Sequence, residues 1–318
     1  MKYILILFIV LTSCKSSLKN ESENNSFKEI HNESILIDTH NDILMKALDK
    51  GVMFDQDLTG KTHSDLDRWK KGGLDVQIFS VFSDGGVKNP YSIANSQMDI
   101  LDELVSRNSN KIIKVANVKE ILKAVKEKKI AAMFGVEGGH MIEDDLLKLE
   151  ALYKRGARYL SLTHNTAPSW ATSAEDETTN PNLLQKGLTD FGIQVVKKMN
   201  ELGMLIDISH SGDQTFWDVI KITNKPIIAS HSSVYTLVAS RRNLKDDQIK
   251  AIAKNGGVIM VNFHPGFIDD SFDGKERAFL EKYAIEVDSL IKSGMDQWNT
   301  VDYLYKKYAT ESEIMRPP

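Results

Sequence analysis

The chain has 318 residues, 42% of them apolar, enough to bury a sizeable core and within the length that α/β barrels reach as one domain. Lys plus Arg number 40 against 44 Asp plus Glu, a formal charge of −4. No basic block or aromatic-basic interleaving accompanies that balance, which argues against nucleic acid as a partner.

The opening MKYILILFIVLTSC combines Lys2, an apolar stretch too short to span a bilayer, and small residues just before Cys14. This predicts a signal peptide over 1–13. The ending Leu11-Thr12-Ser13-Cys14 resembles the bacterial lipoprotein box, in which the Cys is lipidated and becomes the mature N-terminus. The expected location is therefore the bacterial cell envelope, with the lipid on Cys14 as the membrane contact. Cys14 is the single Cys, so neither an intrachain disulfide nor, once lipidated, a disulfide-linked homodimer is available. The polar residues up to position 34 predict a flexible tether, leaving 35–318 as the catalytic unit.

From Ile35 onward, short apolar runs rich in β-branched residues alternate with longer amphipathic stretches. The candidate strands are Ile35–Asp38, Val76–Phe82, Ile130–Val136, Tyr159–Leu162, Met204–Ile208, Pro226–Ser230 and Val258–Asn262. Between them lie helix-like segments such as DDLLKLEALYKRG and LTDFGIQVVKKMNELG, several closed by a Gly. Such alternation predicts a parallel sheet with helical crossovers. A doubly wound nucleotide fold would place G-x-G-x-x-G after its first strand, where this chain has THNDIL. The prediction is a (β/α)8 TIM-type barrel, whose chemistry sits at the C-terminal strand ends.

Those ends carry His40 and Asp42, two positions apart as neighbours on one strand face would be, then Glu137, His164, His210 and His231, with His264 after the seventh run. Taken singly, each His reads as a hydrogen-bonded structural residue, Asp42 as a helix N-cap and Glu137 as a solvated carboxylate. Together they would converge on one barrel mouth, where crowded carboxylates are costly and a divalent cation relieves the cost. Imidazole with carboxylate suits zinc or a similar transition metal better than calcium or magnesium. Glu137 can bridge two ions, and such a pair shares a hydroxide nucleophile while polarising a carbonyl, so metal-assisted hydrolysis is the chemistry expected.

The segments IDTHNDIL, GVEGGH, RYLSLTHN, IDISH and PIIASHSSVYTLVASRRNLKDDQI resemble the membrane dipeptidase (renal dipeptidase) family of amidohydrolase-like barrels, over about Ile35 to Phe267. The spacing from His210 to His231 also agrees with the family's pattern. The resemblance implies a first zinc held by His40, Asp42 and Glu137, and a second held by Glu137, His210 and His231. It implies that His164 steadies the developing oxyanion and that Arg242, the second Arg of SRRN, grips a substrate carboxylate. The activity implied is hydrolysis of dipeptides, often with a D-residue at the C-terminal position, and in some members opening of carbapenem-type β-lactams.

In that family an Asp at the end of the eighth strand handles the proton, and no counterpart of its segment is recognised here. SFDG at 271–274 follows the seventh strand too closely and reads as loop, with two helical stretches after it. The barrel is thus expected to lack its eighth strand and C-terminal helices, with poor solubility and trace activity as the consequence. His264 departs from the aromatic expected there and is assigned no role. Two alternatives stand beside the dipeptidase: a non-catalytic peptide- or metal-binding lipoprotein of the same fold, and another amidohydrolase-type hydrolase.

Overall fold

The computed structural model describes residues 26–295 and 297–315. The expected signal peptide and the lipidation site Cys14 lie outside the described residues. Among the described residues, no helix is long and apolar enough to cross a membrane.

Among the described residues one sheet holds eight strands: β1 (Leu36–Asn41), β2 (Leu74–Phe82), β3 (Ile112–Lys114), β4 (Ile130–Glu137), β5 (Ala157–Ser161), β6 (Leu205–Asp207), β7 (Ile228–Ser232) and β8 (Val258–Val261). Seven run side by side in the order β1-β2-β4-β5-β6-β7-β8, all pairs parallel. These are the seven runs read from the sequence. The short β3 pairs only with the first residues of β4, and its three residues are too few to show a period. β4 is buried at every position, as a parallel strand covered on both faces should be, and it accordingly reads as a continuous apolar run.

Helices connect the strands and cover the outside. Asp190–Leu202 and Asp246–Asn255 end on Gly203 and Gly256 at φ 71° and 78°, the left-handed closure that a Gly permits at least cost. The main core packs these helices against Phe79, Phe134, Val136 and Leu160 of the sheet. A second cluster, with Val76, Ile78, Ala131, Met133, Tyr159 and Ile228, comes from alternate strand positions, on the opposite face of the sheet.

The ring is nearly closed. Tyr159 reaches from β5 to non-adjacent β1, where its hydroxyl donates to the Thr39 carbonyl at 3.0 Å. Its ring lies across Gly135 of β4, at which a Cβ would stand 2.0 Å from the Tyr159 Cζ. The Thr39 hydroxyl in turn donates to the Ser230 carbonyl of β7 at 2.7 Å. β8 and β1 are not paired with each other among the described residues, and Leu36, Ile37, Val258 and Val261 are exposed along these two strands.

Two local expectations are corrected. Residues 26–33, within the expected tether, are helical, and His31 Nε2 donates to the Gly72 carbonyl at 2.9 Å. SFDG is the start of a helix, Phe272–Lys282, because Phe272 is buried under the chain that follows. Among the described residues four α-helices follow β8 where two stretches were anticipated, and they pack around Phe272, Phe279, Leu304 and Met315.

Candidate metal centre and active site

His40 stands near the end of β1, and Asp42 lies one residue beyond the strand, at the N-cap position of helix Ile43–Lys50. The Asp42 side chain makes no capping bond. Asn41 Oδ1 accepts from the Ile43 N–H instead, and Asp42 Oδ1 lies 3.4 Å from His40 Nε2. Glu137 ends β4 and is 3% exposed, so it is not a solvated carboxylate. Its Oε2 is 3.3 Å from His40 Nε2, while its Oε1 is 3.2 Å from His210 Nε2 and 3.3 Å from His231 Nε2. One carboxylate thus faces two separate groups of imidazoles.

The outer nitrogens fix how the rings are presented. The Tyr159 hydroxyl, already donating to Thr39, accepts from His40 Nδ1–H at 2.9 Å. Asn165 Oδ1 accepts from His210 Nδ1–H at 2.9 Å. Ser230 Oγ donates to Asp207 at 2.7 Å and accepts from His231 Nδ1–H at 2.8 Å. Assigned from these partners, all three rings carry Nδ1–H and turn the Nε2 lone pair inward. His210 Nε2 and His231 Nε2 then face each other at 3.1 Å beside Glu137, with no donor between them. Neutral rings leave that arrangement repulsive, and a cation makes it favourable. The donor set therefore fits a transition metal such as zinc.

The electrostatics agree. Burial opposes charge on His40, yet Tyr159, Glu137 and Asp42 together raise its pKa well above the ordinary value. Burial lowers the pKa of His210, His231 and His164, so those rings stay neutral and available. For Glu137, burial pushes upward, but His40 and the other imidazoles around it hold it well below the carboxylate range.

The sequence-derived site residues come together, but the tightest groups differ from the expected sets: His231 falls with His40, and His164 with His210. Ligand-type atoms of His40, Glu137 and His231 lie within 4.8 Å of one another, as do those of Glu137, His164 and His210. His164, expected to touch only substrate, is therefore also within reach of an ion, its ring 4.3 Å from that of His210 and 4.4 Å from that of Phe82. Asp42 belongs to neither tight set, its side chain being 51% exposed at the rim.

Arg242, in the loop after β7, is 9% exposed. Its guanidinium makes one long hydrogen bond, Nη2 to the His231 carbonyl at 3.5 Å, and faces the Phe267 ring at 5.6 Å. Burial pushes its pKa down to about 10. The loop is held by Asn243, which accepts from the Ser233 N–H and donates to the carbonyls of Val238 and Phe267. His210 adopts φ 66°, rare outside Gly and a form of strain that concentrates at functional sites. His264 packs on Phe267 and Phe272 instead.

Sequence reasoning missed Tyr159, Asn165, Asp207, Ser230 and Asn243. Four of these adjoin motif residues in LTHN, IDISH, ASHSS and SRRN, which was the available signal. Tyr159 also lies in a quoted segment, RYLSLTHN, but inside its apolar strand, where nothing marks the hydroxyl for His40.

Comparison with known proteins places this geometry. The family model for Membrane dipeptidase (Peptidase family M19) matches residues 24–315. An uncharacterized dipeptidase of Schizosaccharomyces pombe is 34% identical over 299 residues, 86% of this chain and 70% of that protein. The solved structure of the probable dipeptidase PvdM from Pseudomonas aeruginosa aligns with a TM-score of 0.72 at 22% identity, over 93% of this chain and 78% of its own. A metallo peptidase from Rhodobacter sphaeroides, liganded with a phosphinate mimic of the dipeptide L-Ala-D-Ala, aligns with a TM-score of 0.66 at 20% identity, over 74% and 76%. These two likenesses establish the fold, and the sequence match over most of the chain establishes the kinship: the chain belongs to the membrane dipeptidase family, peptidase family M19, and is a metallo-dipeptidase.

Proposed function

We propose that the chain hydrolyses free dipeptides with two zinc ions, one held by His40, Asp42 and Glu137 and the other by Glu137, His210 and His231, with a hydroxide shared between them. When bound, such ions supply a nucleophile from water and polarise the scissile carbonyl. The observation that carries this reading is the pair of inward Nε2 lone pairs on His210 and His231, 3.1 Å apart beside a carboxylate whose other oxygen faces His40.

The remaining roles belong to the chain's own groups. The Arg242 fork, buried and almost without partners, pairs with the free carboxylate of the dipeptide and sets its register. His164 is kept neutral chiefly by burial and stands beside Glu137 and His210, where it can donate to the oxygen that gains charge as the amide is attacked. The dipeptide mimic on the Rhodobacter sphaeroides relative supports the same ligand class here. Lipidation of Cys14, with anchoring at the bacterial cell envelope, is part of the proposal, and fatty-acid labelling that persists in Cys14→Ser would refute it.

The test is turnover of free and C-terminally amidated dipeptides by zinc-loaded protein. Cleavage of the free forms, abolished by a chelator and weak on the amides, is expected. No cleavage, or equal cleavage of the amides, would overturn the reading.

A further inference from the structure

We infer that Asp207 is a positioning residue for His231, acting through the hydroxyl of Ser230; the inference rests on the metal-centre reading above. Asp207 ends β6 and is 0% exposed. Its oxygens accept from the Ser209 N–H at 3.1 Å, the Ser230 N–H at 2.9 Å, the Ser230 hydroxyl at 2.7 Å and the Ser161 hydroxyl. Among the described residues no Lys, Arg or His forms an ion pair with it. A buried carboxylate with no cation in direct contact is costly, and four donors offset that cost without explaining why an Asp stands there.

The direction of the hydroxyl proton explains it. A serine beside an imidazole can either accept from Nδ1–H or donate to a bare Nδ1. If Ser230 donated, the ring proton would move to Nε2, the atom that faces Glu137 and His210. Asp207 removes that choice, because it takes the Ser230 proton and leaves only oxygen lone pairs toward His231 Nδ1, 2.8 Å away. The competing acceptor, Ser209 Oγ, is farther at 3.3 Å and already accepts from the His231 N–H. A carboxylate is the group that cannot return the favour as a donor, so it commits the chain Asp207–Ser230–His231 to one direction. His40 is held in the same sense by Tyr159 and the Thr39 carbonyl, but there a backbone acceptor suffices.

The experiment compares two hydroxyl deletions on the same carboxylate, in the full chain. Ser230→Ala removes the link to His231, whereas Ser161→Ala removes a donor that does not touch it. Zinc affinity is measured by chelator competition, and the His231 tautomer by ¹⁵N NMR of metal-free protein. Ser230→Ala and Asp207→Asn should weaken binding of one of the two zinc ions by roughly 10- to 100-fold. In both, the metal-free His231 signal should move from the Nδ1–H form toward a tautomer mixture. Ser161→Ala should leave both readouts unchanged. Equal weakening by the two Ser variants, or an unaltered tautomer in Ser230→Ala, would reduce Asp207 to a clamp on strand ends and overturn the inference. Wild-type protein that binds no zinc would sink the metal reading, while the tautomer comparison would still decide this one.

Discussion

Arg242 offers a prediction in which stability and activity move in opposite directions. Its guanidinium is buried, and its pKa is pushed down to about 10. At about 1.36 kcal/mol per pKa unit, that drop from the ordinary guanidinium value means the charged form costs on the order of 3 kcal/mol in the free protein. One hydrogen bond of 3.5 Å offsets little of this. Replacing Arg242 by Met should therefore stabilise the substrate-free chain by up to about 3 kcal/mol, seen as a higher urea midpoint at unchanged slope. Activity should fall, because truncating one side of a buried charge pair costs about 2–5 kcal/mol, or roughly 30- to 5000-fold in kcat/KM on free dipeptides. Arg242→Lys keeps a charge without the fork and should fall between the two. C-terminally amidated dipeptides serve as the control, since wild type should disfavour them and Arg242→Met should treat both forms alike. A variant that is no more stable and still prefers free carboxylates would refute the reasoning.

Further outcomes follow from the same geometry. Glu137→Gln should lower affinity for both ions, whereas His40→Ala should retain one per chain by elemental analysis; equal loss from the two would argue against a shared carboxylate. In metal-free protein, burial lowers the pKa of His140, His164, His210 and His231, so the unfolded chain takes protons near pH 6.5 that the folded chain refuses. Each such group costs about 1.4 kcal/mol of stability per pH unit below that point, until its lowered folded value is reached. His40, raised in the fold, runs the other way: its contribution is present below 6.5 and fades as pH rises through its folded value. With four groups against one, the urea midpoint of chelator-treated protein should drop from pH 7 to pH 5.5, and a flat profile would contradict the assignments. Gly135→Ala drives a methyl into the Tyr159 ring and should destabilise by about 1–3 kcal/mol, read as a lower Tm.

The candidate ligands were legible because a parallel barrel puts its chemistry where apolar runs stop. His40, Glu137, His210 and His231 each stand at or just past a strand end. Their alternatives required the structure. Asp42 does occupy an N-cap position, and only the missing capping bond shows that it serves His40. The groups that orient the imidazoles were illegible for a different reason. Tyr159 is 119 positions from His40 and Ser230 is 23 from Asp207, contacts that follow from closure of the ring and leave no local period. The helix over 26–33 hid behind a composition that reads as linker, and β3 behind its three-residue length.

The proposed hydrolytic site is built on two ions that share Glu137. Metal-free chain titrated with zinc, with release from a free dipeptide followed at each addition, tests it most directly. Turnover should rise to a plateau at about two equivalents per chain and be absent throughout in Glu137→Gln. A plateau at one equivalent, or turnover in Glu137→Gln matching wild type, would contradict it.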